Sequence, residues 1–135
     1  MTLSPELKAL ALIATATSLM WIPYLLSRIL ARGVFGAMAN PVADPPPEPA
    51  WADRAQRAHA NAIENLAVFA PLALIAAAVG ATNPTTAAAA QVFVAARLVH
   101  YAVYVFGIPV LRTLAFVVGF GCTLVLAGSI FGLVG

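Results

Sequence analysis

The sequence predicts an all-α integral membrane protein, a single domain built as a four-transmembrane-helix bundle. Two observations predict it. Apolar residues fill 62% of the 135 positions and charged residues only 9%, whereas soluble domains run at about 45–50% and about 25% because polar groups must cover a small body. The apolar residues also gather into four segments, each near the roughly 20 residues that carry a helix across a hydrocarbon core about 30 Å thick. The same composition excludes a disordered chain, and with Cys122 as its single cysteine it excludes a disulfide scaffold. Its seven Lys and Arg residues are too few and scattered to track nucleic-acid phosphates.

The first span is expected over residues 7–30, with no charge between Ala9 and Ser27 and with Gly33 and Gly36 ending it. Its length, Glu6 beside Lys8 before it, and Arg28 and Arg32 after it identify a retained helix rather than a cleaved signal peptide. The one long connection, residues 33–52, carries Pro45, Pro46, Pro47 and Pro49, which favour an extended solvated strap. The second span, 54–80, has a purely apolar part, Leu66 to Val79, that is too short to cross alone. It must therefore carry Arg57, His59, Asn61 and Glu64 into the bilayer. Gly80, Asn83 and Pro84 close it in a tight turn. The third span, 85–106, contains Arg97 and His100. Gly107 and Pro109 separate it from the fourth, 110–134, which is uncharged after Arg112. Pro23 and Pro71 lie inside spans one and two, where each removes a backbone hydrogen bond and is expected to kink its helix.

Charge asymmetry sets the expected orientation. Arg28, Arg32, Arg54 and Arg57 flank the long connection and Arg112 flanks the third turn, while the opposite side has only Lys8. Positive charge is retained on the cytoplasmic side, so the strap is expected to face the cytoplasm and both termini the outside. The compact loops suit a bacterial inner membrane.

Charged side chains inside a bilayer cost about 2.5–3.5 kcal/mol each on insertion scales, so those present should be paired, turned inward or used. On span two, Arg57, Asn61 and Glu64 at i, i+4 and i+7 form one stripe, with Arg54 on its edge. Span three repeats the pattern with Arg97, His100, Tyr101 and Tyr104. Glu64 and Arg97 should lie at matched depth, within reach of an ion pair. The other polar residues then form a cationic cleft open to the cytoplasmic interface, suited to an anionic small molecule because guanidinium forks bind carboxylates bidentately. Arg112, in the first turn of span four, adds its charge where free N–H groups and the helix dipole already favour an anion. The alternative is structural: Glu64 with Arg97 and Asn61 with His100 would knit the bundle, leaving Arg54, Arg57 and Arg112 as interface anchors.

The run from Arg57 through His59, Asn61, Glu64 and Asn65 to Phe69-Ala70-Pro71-Leu72 resembles the signature of the MAPEG superfamily, the membrane-associated proteins in eicosanoid and glutathione metabolism. Arg97, His100 and Tyr104 on span three, then Pro109 and Arg112-Thr113, resemble that family's later segment, so the resemblance covers essentially the whole chain. It implies a homotrimer of four-helix bundles with glutathione as cosubstrate near the cytoplasmic side of each subunit interface. By the same resemblance, Arg57, Asn61 and Glu64 bind glutathione, with Arg97, His100 and Tyr104 in the same pocket and Arg32 reaching it from span one. Arg112 would hold the thiol as thiolate, with Thr113 as a neighbouring hydroxyl. Where better-known animal members carry a tyrosine one turn past the helix-four arginine, this chain has Phe116. Ala60 replaces a polar residue of some members, and Asp44 only loosely matches an acid of the prostaglandin-forming branch. These departures argue against prostaglandin or leukotriene synthesis.

The implied activity is a glutathione-dependent transferase or peroxidase acting on lipophilic electrophiles or lipid hydroperoxides drawn from the bilayer. A free thiol has a pKa of about 8.5, and a guanidinium with a helix N-terminus lowers it by one to several units, giving the thiolate that reacts. A noncatalytic trimer binding an anionic lipid or scaffolding a membrane complex is the alternative. A small channel is weaker, because no polar stripe continues outward past Gln91. No metal is expected: His59 lies off the stripe, and no Asp, Glu or Cys completes a set with His100. Cys122 reads as a core thiol. Gly128 and Gly132, in G-x-x-x-G spacing, and Ala87 to Ala90 read as close-packing surfaces. Trp21, Tyr24 and Trp51 read as interfacial aromatics.

Overall fold

The computed structural model describes residues 2–135, and helices are the only regular structure among them: α1 (Pro5–Leu19), α2 (Ile22–Met38), α3 (Ala50–Ala78), α4 (Pro84–Phe106) and α5 (Pro109–Ile130). α1 and α2 form one crossing element, and with α3, α4 and α5 they make four elements long and apolar enough to cross a membrane. α4 is the most enclosed, packing against α1, α3 and α5.

The first span is broken rather than bent. The helix opens at Met20 and Trp21, and Pro23, which lacks an N–H, stands in the first turn of the new helix, where that loss is tolerated. Tyr101 of α4 donates its hydroxyl to the Met20 carbonyl at 3.0 Å, supplying a partner at the break. Helical geometry ends at Gly33, as the sequence suggested: that residue takes φ 73° and ψ 169°, a backbone costly for residues with a Cβ, and a second short helical stretch follows it to Met38. The non-helical strap is therefore residues 39–49, shorter at both ends than the sequence suggested, since α3 already starts at Ala50.

At 29 residues, α3 is about 44 Å long, well over a core of about 30 Å. With Ala78 at the far surface, about 20 residues back falls near His59. The first two turns of α3 then project beyond the hydrocarbon, Arg57 lies at its boundary, and Asn61 and Glu64 lie within the first turns of the membrane.

Small residues make the packing close. The buried seam of α3 is Ala52, Ala55, Ala58, Ala62, Phe69, Ala73 and Ala76, repeating at helical spacing. Phe69 stacks on Phe93 of α4 with ring centroids 4.0 Å apart, and Ile13, Ala90, Cys122 and Leu126 surround the pair.

The turns follow from their chemistry. Asn83 caps α4 by accepting from the backbone N–H groups of Thr85 and Thr86, while Thr86 Oγ1 accepts from Asn83 N at 2.8 Å. Gly107 ends α4 at φ 76°, and Ile108 N donates back to Val103 O. The fourth helix stops at Ile130 because Gly132 turns at φ 70° and Leu133 N reaches back to Gly128 O at 2.7 Å. Within the chain, Gly128 packs closely against Val134 of the segment after α5, and Gly132 supplies the positive φ of the turn between them.

A second polar cluster occupies the end of the bundle opposite the strap. Glu6, 1% exposed, accepts from Thr86 Oγ1 at 2.5 Å, Asn83 Nδ2 donates to Ser129 Oγ, and Ser129 Oγ donates to Ala81 O. These bonds tie α1, α4 and α5 to the α3–α4 turn. The sequence placed Glu6 as a flanking charge; the fold buries it.

Candidate functional site

Near the strap end of the bundle, α3, α4 and α5 enclose a cleft of about 290 Å³ lined by Asn61, His100, Tyr104, Arg112, Thr113 and Phe116. Each arrives by a local rule. His100 and Tyr104 are one turn apart on α4, with rings meeting edge to face at 5.6 Å. Pro109 opens α5 with a preset φ, which puts Arg112 and Thr113 in its first turns. The Arg112 guanidinium lies over the Tyr104 ring, 4.5 Å from its centroid, a cation–π contact that holds it beside the cleft. Thr113 donates its hydroxyl to Pro109 O at 3.1 Å, so it faces the cleft with lone pairs.

Arg97 lies behind this wall. It is 1% exposed, and its Nη2 donates to Asn61 Oδ1 at 2.5 Å and to His100 Nδ1 at 3.3 Å. Glu64 does not pair with it. The Glu64 carboxylate is exposed on α3 and lines an adjoining groove of about 440 Å³ between α3 and α5, with Asn65, Val68, Phe116 and Phe120. The expected Glu64–Arg97 ion pair is thus replaced by an amide contact. Glu64 lies about 60° around the helix from Asn61, and it is Asn61 that faces α4.

Two of the other predicted site residues stand apart within one chain. Arg57, a turn beyond Asn61, is exposed and pairs with Asp53 on its own helix at 2.9 Å. Arg32 donates to Glu48 of the strap at 2.8 Å, and Arg28 reaches the same carboxylate at 3.5 Å and Gln56 at 3.3 Å. Two guanidiniums on one carboxylate clasp the strap against α2 and α3.

Residues outside the predicted set complete the scaffold. Arg54 donates through Nε to Val105 O at 2.9 Å, and a Cβ on Gly107 would lie 3.3 Å from its Cζ, so Arg54 fastens α3 to the turn that launches Arg112. The sequence showed it as the edge of a stripe or an interface anchor. Asn65 donates to Asn61 O at 2.9 Å and to its Oδ1 at 3.3 Å, a contact legible in the i, i+4 spacing. His59 pairs with Tyr24 at 2.9 Å between α2 and α3. Among the described residues, no group of three or more His, Cys, Asp and Glu side chains converges.

The arrangement can hold an anion. The Arg112 charge, an imidazole and an amide converge on one small volume with the Arg97 charge behind its wall, while the nearby Glu64 carboxylate lines the adjoining groove. That groove, walled mostly by apolar side chains and sharing Asn61 and Phe116 with the cleft, would accept a lipophilic molecule beside the anion. Comparison with curated proteins and with solved structures gave no significant match. A family model described as the MAPEG family matches residues 8–132, nearly the whole chain. The protein is an integral membrane protein with helices that contact the bilayer, and it belongs to the MAPEG family.

Proposed function

We propose that this protein is a glutathione-dependent transferase or peroxidase that works on lipophilic electrophiles or lipid hydroperoxides. The observation that carries the reading is the convergence of Asn61, His100, Tyr104 and Arg112 on one cleft that opens into an apolar groove. The donor set suits the group it would hold: an arginine at a helix N-terminus favours a thiolate over a thiol, and thiolate is the reactive form. When bound, glutathione supplies a nucleophilic sulfur that attacks an electrophilic carbon or a peroxide oxygen. The protein's own part is binding and orientation. Arg112 offsets the sulfur's negative charge, Tyr104 keeps Arg112 in place, and Phe116 walls the cleft toward the groove that admits the second substrate.

We further propose a homotrimer in a bacterial inner membrane, with the strap on the cytoplasmic side. In that assembly Arg57, Glu64 and Arg32, which lie outside the cleft of their own chain, would reach glutathione across a subunit interface. Glutathione titration of the detergent-solubilised protein, followed by thiolate absorbance, tests the reading. A saturable rise that Arg112→Ala removes is expected; no binding at millimolar glutathione, or unchanged activity in Arg112→Ala, overturns it.

Two observations favour a second reading, a noncatalytic protein that binds an anionic lipid. Phe116 lies 6.5 Å from the His100 ring where a phenol could have donated, and the Thr113 hydroxyl proton is already committed to Pro109 O. Copurifying anionic lipid, retained in the presence of glutathione, would support it.

A further inference from the structure

Arg97 is a buried charge without a counter-ion. Its guanidinium is buried among α3, α4 and α5 with no carboxylate on it among the described residues, and its Nε and Nη1 have no hydrogen-bond partner among them. Space for the side chain comes from Gly119 of α5, whose added Cβ would lie 3.4 Å from Arg97 Cδ and 3.8 Å from the Phe93 ring. A buried cation without a counter-ion costs several kcal/mol even after relaxation. Two contacts go toward offsetting that cost, and both are to residues that line the cleft: Asn61 Oδ1 and His100 Nδ1.

A guanidinium has five N–H donors and no acceptor. Whatever atom faces Arg97 must therefore present a lone pair, and this decides two orientations that are otherwise free. For His100, 3% exposed, the Nδ1 that meets Arg97 is unprotonated, so the neutral ring carries its proton on Nε2. For Asn61, the oxygen faces Arg97 and also accepts from Asn65 Nδ2, so the amide nitrogen is turned away from both and toward the cleft that Asn61 lines. With the Arg112 guanidinium opposite, three of the polar residues that line the cleft present donors to it, and the Thr113 oxygen presents lone pairs.

We propose that Arg97 is a positioning residue: it sets the hydrogen-bond polarity of Asn61 and His100, so that the cleft selects an anionic acceptor over a neutral or cationic group. This goes beyond the glutathione reading by assigning the origin of anion selectivity to a side chain that does not itself line the cleft. It rests on that reading only for the identity of the ligand.

The test is nitrogen NMR on the full-length, ligand-free protein carrying ¹⁵N-histidine, with a His100→Gln sample used to assign the His100 signals. The wild type should show His100 with Nδ1 unprotonated and Nε2 protonated. Arg97→Met should give a tautomer mixture, and Arg97→Lys, which keeps a donor, should restore the wild-type pattern. Glutathione affinity should fall about tenfold in Arg97→Met, as expected for misdirecting one charge-assisted contact, and recover in Arg97→Lys. A protonated Nδ1 in the wild type, or a His100 tautomer indifferent to Arg97→Met, overturns the proposal. Should Arg97→Met fail to fold, the wild-type and Arg97→Lys spectra decide it. The two readings fail separately: a tautomer that follows Arg97 in a protein that does not bind glutathione keeps this proposal and removes the glutathione reading, while glutathione binding with an indifferent tautomer does the reverse.

Discussion

Asn61, not Glu64, is the residue that Arg97 depends on, and the difference is measurable. Replacing Asn61 by leucine leaves a buried guanidinium without its shortest contact, so Asn61→Leu should lower stability by about 2 kcal/mol. Glu64→Gln, at an exposed carboxylate that touches no cation among the described residues, should leave the thermal midpoint in detergent nearly unchanged. The reverse ordering would restore the ion pair that depth alone suggested. The sequence made the polar residues and their level legible because helical rise is regular. It did not make the partner legible, because residues three apart on a helix differ by about 60° in direction and only packing decides which of them meets the neighbour. Gly107 is a second residue with a defined cost. A Cβ there would meet both a left-handed backbone and the Arg54 guanidinium, so Gly107→Ala should destabilise by about 1–3 kcal/mol and weaken glutathione binding by shifting Arg112. Gly33→Ala provides the comparison. It has the same backbone sign but nothing within 4 Å, so its loss of stability should be smaller and binding should be untouched. Matching losses in both variants, read as unfolding midpoints, would mean that backbone strain alone matters and that the Arg54 contact is idle.

Among the elements, caps and turns could be read from composition, while helix continuity could not. Asn83-Pro84 and Gly107-Ile108-Pro109 mark helix ends that the structure keeps, because a capping side chain and a missing N–H act locally. Gly33 does end its ladder, but composition did not mark the second helical stretch that follows it to Met38, and Arg28 and Arg32, which precede that break, hold the strap. The strap has no regular structure of its own, and Glu48 is its electrostatic attachment to α2. Glu48→Gln should therefore free it: hydrogen exchange and protease cleavage across residues 39–49 should rise severalfold, while the midpoint of global unfolding moves little. An ion pair that water still reaches contributes only about 0.2–1 kcal/mol, and the bundle core does not involve it. Unchanged exchange would show that the prolines hold the strap without the clasp.

At the scale of the whole molecule, a single subunit does not account for its own surface. Exposed Leu, Val, Ile and Phe side chains cover the bundle, as lipid contact requires. Yet Arg57 is 68% exposed, and Glu64, a turn or two inside the hydrocarbon, turns outward into the α3–α5 groove. A charge facing lipid at that depth costs about 2.5–3.5 kcal/mol, whereas one facing another protein surface can be paired. The four-helix plan was legible because hydropathy reports what lipid tolerates. The expected position of Glu64 inside the bundle failed because a polar stripe gives the side of a helix that avoids lipid, not which residue of that side packs into the bundle. The proposed homotrimer places a neighbouring copy over that groove. The full-length protein in lipid nanodiscs, mass-measured in its native state, should be trimeric, and cysteines introduced near Glu64 in a Cys122→Ser background should crosslink between subunits. Glutathione should protect those cysteines from crosslinking, since the proposed site shares the seam. A monomer that binds glutathione with unchanged affinity would place the whole site within one chain and leave the outward Glu64 unexplained by assembly.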